Sequence, residues 1–463
     1  MILPIDRYTP PHVLGVCREL IRAGGRPYLV GGCVRDMVGG IAPKDFDIEV
    51  YGLTLEKLTL TLSRLGRCQQ VGKSFGVVKV WIKGLDIDVS LPRTEQKTHA
   101  GHQGFRVSAD PNLDPRIASS RRDFTINAMM VEPNSGNLID FHGGQRDLRA
   151  GVLRHISNAF AEDPLRVLRG MQFAARLALT LDRSTAEFCR KMLPEAETLA
   201  IERVWIEWIK WANTAHPSYG LAMLRECGWI RLYPELHALV GCAQSQRWHP
   251  EGDVWDHTLF VVDRAAAIAD REGYAEERRL QLLFAALCHD FGKPLTSCED
   301  EEGDVRSRHH DHAGVVPASS FLAVIGAPQR LSERVALLVS DHVTHLHGEP
   351  SDRAIRRLSA RLFPATIRDW ESLVESDASG RPPLPASRPA LPWLQRAHEI
   401  DLAERAPARI VSGSLLIELG VAPGPQMGEL LRRAYEAQLD GLFADEADAR
   451  QWCSMQIGSE GVA

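Results

Sequence analysis

The stretch LVGGCVRDMVGGIAPKDFDIEV, Leu29 to Val50, joins an apolar run to a glycine pair, a short helical register, a second glycine pair and an acidic strand. A dinucleotide-binding turn reads GxGxxG, with an acidic residue about 20 positions on. Here the glycines are adjacent, Gly31–Gly32 and Gly39–Gly40, so that spacing is absent. Neither pair is followed directly by GK[ST], which excludes the phosphate loop of the nucleoside triphosphatases. What remains is a strand, the Gly31–Gly32 turn and a helix opening at CVRD. Such a turn aims backbone N–H groups and a helix N-terminus at an anion, and Arg35 adds positive charge.

Asp45 and Asp47 are two apart in the strand that follows, so they project from one face. Two carboxylates so placed repel each other unless a cation lies between them, and hard oxygen ligands suit magnesium. A third carboxylate comes from GLDIDVSLPR: Asp88 is preferred for its place before LPR, and Asp86 shares its face. An anion cradle beside a cation-binding DxD pair is a layout for nucleotidyl transfer, although DxD by itself is also a common surface turn.

The chain has 463 residues, enough for about three or four domains at roughly 100–200 residues each. Its hydrophobic content of 44% and charged content of 25% fit a globular protein. No run approaches the roughly 20 apolar residues of a membrane span, and MILPIDRYTPPH does not read as a signal peptide. Nine scattered cysteines form no CxxC pair, which predicts reduced thiols and a cytoplasmic protein. A net charge of −6 means that a polyanionic partner would need local basic patches.

Up to about residue 150, helix-like stretches alternate with short strands such as PYLVGG, DFDIEVYG and VVKVWIKGLDIDVSLP. Beyond GVLRHI the strands largely vanish, and apolar residues recur at three- and four-residue spacing. The fold class is an α/β head, a small mixed sheet with helices, followed by a mostly α-helical neck, body and tail. The expected domains are 1–150, 151–240, 241–380 and 381–463. GRPPLPASRPALP, residues 380–392, reads as a stiff linker or extended loop.

Two further segments carry chemistry. RRDFTINAMM places Arg121, Arg122 and Asp123 ahead of an apolar element; arginine forks suit a triphosphate, and Asp123 can accept from a sugar hydroxyl. In EDPLRVLR, helical spacing puts Asp163 and Arg166 on one face and lets Glu162 pair with Arg166. Asp163 can accept from the exocyclic amine of cytosine or adenine while Arg166 donates to ring acceptors. Uracil and guanine carry oxygen at that position. A helix-start salt bridge would use the same letters.

Together LVGGCVRD, KDFDIEV, RRDFTINAMM, LIDFHGGQRDLRAGVLRHI and EDPLRVLRGMQFAARL resemble the class II tRNA nucleotidyltransferases and bacterial poly(A) polymerases, over roughly residues 25–240. The resemblance implies that Asp45, Asp47 and Asp88 are catalytic, with Mg2+ on Asp45 and Asp47. It implies a nucleotide site of Gly31, Gly32, Arg35, Arg122, Asp123, Asn127, Glu162, Asp163, Arg166 and Arg169, with Glu162 steadying the base-reading arginine. The partners it implies are tRNA, ATP and CTP.

Histidines gather further on, in RWHPEGDVWDHTL, ALCHDFGK, RSRHHDHAGVV and SDHVTHLHGE. His257, the adjacent His289–Asp290 pair and Lys293 after HDFG resemble the HD phosphohydrolase superfamily. That likeness implies a divalent-metal site of His257, His289, Asp290, His310, His342 and Asp377, holding Ni2+, Mn2+ or Mg2+. His312 rivals His310, and Asp377 is the loosest assignment.

Arg353, Arg356, Arg357 and Arg361 lie along one helical face, fit for RNA phosphates or for plain solvation. Trp205, Trp208 and Trp211 read as core packing. The expected activity is addition of C, C and A to tRNA 3′ ends, with a possible second phosphohydrolase. Rival readings are CC-adding, A-adding or poly(A) synthesis, a phosphohydrolase with an RNA-binding head, and a non-catalytic nucleotide sensor. The segment from Arg93 to Asp123 has room for the flexible loop that full CCA addition is thought to need.

Overall fold

Strand β2 (Phe46–Tyr51) alternates so that Phe46, Ile48 and Val50 enter the core while Asp47, Glu49 and Tyr51 take the other face. A computed structural model of the chain describes residues 1–71, 76–97 and 105–460. Its main sheet has seven strands, in the order β3 (Arg67–Val71), β4 (Val77–Ile82), β5 (Leu85–Ser90), β2, β1 (Arg26–Val30), β8 (Met130–Val131) and β9 (Leu138–Ile139). β2 and β5 run parallel and every other neighbouring pair is antiparallel, so the sheet is mixed, as expected. Helix Pro11–Arg22 covers one face with Val13, Val16, Cys17 and Leu20, packed on Leu29, Ile48, Val78, Val80, Ile87 and Val89. The acidic face carries only a small apolar cluster around Val30, Tyr51 and Met130, which leaves room there for a site.

β6 (Arg93–Lys97) and β7 (Phe105–Ala109) form a separate hairpin. Residues 98–104, the middle of the expected flexible loop, lie outside the described residues. Helix Pro115–Ser119 then leads into RRDFTINA.

The chain divides into two compact units, Met1–Arg231 and Leu232–Ala463. In the first, helix Leu165–Leu177 packs against helices Ile201–Ala212 and Pro217–Glu226. Gly170 makes this possible, because a Cβ there would meet Met223 at 2.8 Å and Phe124 at 3.0 Å. Trp208 and Trp211 are fully buried, as core packing predicts.

The second unit is helical, built chiefly from Val254–Arg271, Glu276–Cys288, Gln329–Asp341 and Ile367–Ser379. The proline-rich segment is a loop pinned to this body rather than a free spacer. Arg388 donates to both oxygens of Glu371 at 3.0 and 2.8 Å, and Trp393 meets Trp370 edge to face at 5.6 Å.

Candidate functional sites

In the sheet register, Asp47 of β2 stands directly opposite Asp88 of β5, and Val30 opposes Asp47 from the other side. Asp86 is displaced by two residues and pairs with Trp81, so the register favours Asp88 over its rival. Asp45 lies just ahead of β2 and is exposed. Lys79 Nζ lies 3.3 Å from Asp88 Oδ1. Withdrawal from water pushes the Asp47 carboxyl up; Arg122 draws it down, and Asp88 and Asp45 push it further up.

The first glycine of the turn has φ +74°, the left-handed region open to glycine. A Cβ at Gly31 would come within 3.1 Å of Arg122 Nη1 and 3.3 Å of Asp47 Oδ2. Backbone, arginine and carboxylate thus converge on one small volume. Arg122 also reaches Glu49 Oε2 at 3.3 Å, and Tyr51 Oη donates to Glu49 Oε1. Glu49 was missed in the sequence, although the two-residue strand period puts it on the face of Asp45 and Asp47.

Arg35 has a different post from the one expected. It is 3% exposed, and its Nε and Nη2 donate to Asp36 Oδ1 at 2.9 and 2.6 Å. Its Nη1 donates to Asn127 Oδ1 at 2.8 Å, and its guanidinium lies over Phe173. Asn127 Nδ2 in turn donates to Asp123 Oδ1 at 3.0 Å, while Arg169 clamps Asp123 Oδ2 at 2.9 and 2.7 Å. Arg169, Asp123, Asn127, Arg35 and Asp36 therefore form one chain of contacts, buried except at Arg169. Although burial opposes it, the combined pull of Arg169, Asn127 and the Phe124 N–H holds the Asp123 carboxyl below its usual range.

EDPLRVLR departs from the expected geometry. The α-helix begins only at Leu165, and Asp163 is extended, with φ −131° and ψ 105°. The cause is local: the ring of Pro164 disfavours helical backbone in the residue before it. Asp163 and Arg166 therefore do not share a helical face. Asp163 instead caps the helix, accepting from Leu165 N at 3.1 Å, and takes Arg203 Nη2 at 2.7 Å. Glu162 pairs with Arg121, and Arg166 Nη1 donates to Ala159 O at 2.7 Å.

In the second unit all six nominated ligands meet. His257 Nε2 lies 3.1 Å from Asp377 Oδ1 and 3.8 Å from Asp290 Oδ2. His289 Nε2 lies 3.1 Å from Asp290 Oδ2, while His310 Nε2 is 3.4 Å from Asp290 Oδ1 and 3.1 Å from His342 Nε2. His257, His289 and Asp377 form one group of ligand atoms within 4.8 Å of one another, Asp290, His310 and His342 a second, and His249, Glu251 and His257 a third. Asp290 presents one oxygen towards each of the first two groups. His312 is exposed and turns to Ser340, so His310 displaces its rival.

The imidazoles are oriented from behind. His289, His310 and His342 each place Nδ1 at 2.7–2.8 Å from the carbonyl three residues earlier, those of Ala286, Ser307 and Val339. His257 Nδ1 lies 2.7 Å from Glu251 Oε1. These partners leave Nε2 for a cation, the usual support behind metal-bound histidine. His289 Nε2 and Asp290 Oδ2 are buried and face each other at 3.1 Å without hydrogen-bond geometry, so the donor set fits a divalent ion. Burial, with His310 and His289 nearby, pushes the His342 imidazole down to about 3, towards the neutral, ligating form.

The basic helix Asp352–Leu362 has a structural use. Arg353 and Arg357 donate to Asp440 Oδ1 at 2.8 and 2.7 Å, Arg356 to Leu439 O at 2.9 Å, and Arg361 to Asp341. The expected RNA-binding face is thus tied largely to the tail helix Pro425–Asp440. Amphipathic spacing reports a charged face but cannot say what faces it.

Family models match three stretches: a poly A polymerase head domain over residues 27–154, a "Probable RNA and SrmB- binding site of polymerase A" over 178–239, and an HD domain over 254–374. The Multifunctional CCA protein of Neisseria meningitidis serogroup A is 37% identical over 389 residues, covering 82% of this chain and 87% of that protein. The chain belongs to the multifunctional CCA protein family. Another such protein, from Methylobacillus flagellatus, is 38% identical over 368 residues, covering 77% and 84%.

Two solved structures share the fold of this family member. The Bacillus stearothermophilus CCA-adding enzyme in complex with CTP is 22% identical, with TM-score 0.67 and coverage of 97% and 98%. The Thermotoga maritima CCA-adding enzyme complexed with tRNA(CCA) is 20% identical, with TM-score 0.60 and coverage of 99% and 100%. Nucleotidyltransferase and HD domains both imply divalent-metal use. No helix among the described residues is long and apolar enough to cross a membrane.

Proposed function

We propose that this chain is a tRNA nucleotidyltransferase that adds C, C and A to tRNA 3′ ends from CTP and ATP. The reading is supported above all by the cross-strand pairing of Asp47 with Asp88 beside the Gly31 turn. Asp45 and Asp47 are the magnesium ligands, in keeping with a hard, all-oxygen donor set. When bound, the ion orients the triphosphate and screens charge on the attacking and leaving oxygens. Asp88 polarises the tRNA 3′-hydroxyl. The hydroxyl proton passes to Asp88, the 3′ oxygen bonds to the α-phosphorus, the bond to the bridging oxygen breaks, and pyrophosphate leaves.

Gly31 and Gly32 offer backbone N–H groups to the phosphates, with Arg122 adding charge. Arg35, Asn127, Asp123 and Arg169 support that turn. Asp163 and Arg166 read the base edge, with Arg203 orienting Asp163 and Glu162 acting through Arg121. The assigned domains are head 1–150, neck 151–240, body 241–380 and tail 381–463. Nine cysteines without a disulfide support a cytoplasmic setting.

A second activity is supported by the body centre: phosphohydrolysis, with a 2′,3′-cyclic phosphate as substrate class and nickel, manganese or magnesium as the ion. Imidazole-rich coordination favours the transition metals. The groups His257–His289–Asp377 and Asp290–His310–His342 would hold divalent ions, which when bound would supply charge stabilisation for a displacement at phosphorus.

The test supplies labelled CTP or ATP to tRNAs ending before the first C or after the second C, and to an unrelated RNA. Two C and then one A, on tRNA only, is the expected result. Adenine added to any RNA would convert the reading to poly(A) synthesis.

A further inference from the structure

We propose that the incoming RNA end runs over the outer strands of the head sheet, with Lys79 on the phosphodiester next to the reactive 3′-hydroxyl and Trp81 under the nucleotide behind it. The inference rests on the nucleotidyltransferase reading of the head and adds where its second substrate lies.

The strand register sets the order of the side chains. On β4, Val78 and Val80 enter the core, so Val77, Lys79 and Trp81 take the acidic face. Helix Leu55–Ser63 packs on the other face of β3 and β4 with Leu58 and Leu62. Lys79 pairs with Asp88, Asp88 with Asp47 and Asp47 with Val30, so these residues form one row across β4, β5, β2 and β1. The Gly31 turn follows Val30 at one end of that row, and Lys79 stands at the other. Its Nζ lies 3.3 Å from Asp88 Oδ1 and 3.8 Å from Asp86 Oδ2. Two residues along β4, the half-buried Trp81 pairs with Asp86 on one side and with Arg67 of β3 on the other. The Arg67 guanidinium lies 5.6 Å from the centroid of its ring.

In-line displacement decides which substrate takes which side, because the attacking and leaving oxygens stand on opposite sides of the phosphorus. The Gly31 turn, with Arg122 against it, draws the triphosphate and hence the departing pyrophosphate to the β1 side of Asp47. The hydroxyl then arrives on the Asp88 side, and the RNA behind it continues over β4, about 4.8 Å further on. There the face changes from acidic to cationic and aromatic. A lysine ammonium is a point charge with three donors on a flexible stem, so Lys79 can turn from Asp88 to an arriving phosphate oxygen. An indole with a guanidinium against it is a platform on which the base of an unpaired RNA end stacks. Lys79 and Trp81, two apart on one strand face, thus match a phosphate and the nucleotide it joins.

The experiment uses the full chain with magnesium, CTP and a tRNA ending before the first C. Lys79→Met is expected to raise KM for that tRNA about tenfold, beyond any change in kcat, and to leave KM for CTP unaltered. A second readout needs no turnover: fluorescence anisotropy of the labelled tRNA across a salt series should give a slope of log affinity against log salt shallower by about one. Lys79→Arg should restore both. Trp81→Leu should raise KM for the tRNA about tenfold with the slope unchanged, because stacking neutralises no phosphate. A Lys79→Met chain that loses kcat alone, with tRNA KM and slope at wild-type values, would overturn the proposal and confine Lys79 to the support of Asp88. An unaltered tRNA KM in Trp81→Leu, or a CTP KM that rises in step with it, would overturn it as well. A wild-type chain that adds no nucleotide would remove the nucleotidyltransferase reading, with the salt slope still deciding whether Lys79 meets RNA.

Discussion

The head and the body each gather acidic side chains for phosphate chemistry, yet they are built in opposite ways. In the head, Asp47 and Asp88 face each other across parallel strands, and the Asp88 side chain remains 44% exposed. Among the described residues these carboxylates are not among the closed ligand groups. In the body, the ligands come from separate helices and loops, His257, His289, Asp290 and His342 are buried, and each imidazole is held by an acceptor at Nδ1. The contrast follows from ion chemistry. Magnesium dehydrates reluctantly and is completed by substrate phosphates, so its protein site can stay open. A histidine cage binds its ion without substrate, because the support behind each ring orders it in advance.

Disabling one region and assaying both gives the largest expected effect. Asp47→Asn should lower nucleotide incorporation by at least about a thousandfold, as loss of a charge-stabilising group at a reacting centre does, while body hydrolysis continues. Joint loss would show that the centres are not independent. Next comes the chain of contacts through Arg35. Arg35→Met leaves Asn127 Oδ1 and Asp36 Oδ1 without the Arg35 donors, Arg176 still reaching Asp36 Oδ2, and should destabilise the first unit by about 3–5 kcal/mol, read by denaturant unfolding. A change under about 1 kcal/mol would contradict its structural post.

In the body, Glu251→Gln should weaken metal affinity about 10–100-fold, measured by competition with a chelator, because the carboxylate that supports His257, and also meets His249, loses its charge. In the head, Gly31→Ala should reduce incorporation about tenfold, since the new methyl must displace Arg122 or Asp47 by a few tenths of an ångström. The smallest effect is expected from Arg353→Ala with Arg357→Ala. Both partners are on the tail helix, so the slope of log affinity for tRNA against log salt should change by less than about one.

The two regions also differ in how far the sequence disclosed them. The glycine turn and the outward face of Asp47 were legible because a left-handed glycine and strand alternation are local rules, whereas Asp45, expected within the strand, lies just ahead of it. Asp88 needed the register to separate it from Asp86. The six residues proposed as body ligands span His257 to Asp377, and only their residue types in family order marked them. What failed were readings that depend on a partner. Spacing alone suggested that Asp163 and Arg166 share a helix, but Pro164 unwinds the residue before it. Arg35 looked like a phosphate ligand until Asp36 and Asn127 enclosed it. Glu251 carried no motif, because a supporting residue is recognised by what it touches.

The acidic face of the head sheet is the proposed place where an RNA end is lengthened. The most direct measurement is a crystal structure of the chain with CTP and magnesium. It should show the ion between Asp45 and Asp47, with phosphates against the Gly31–Gly32 backbone. A nucleotide lodged only among the body histidines, or on the helix-covered face of the sheet, would contradict it.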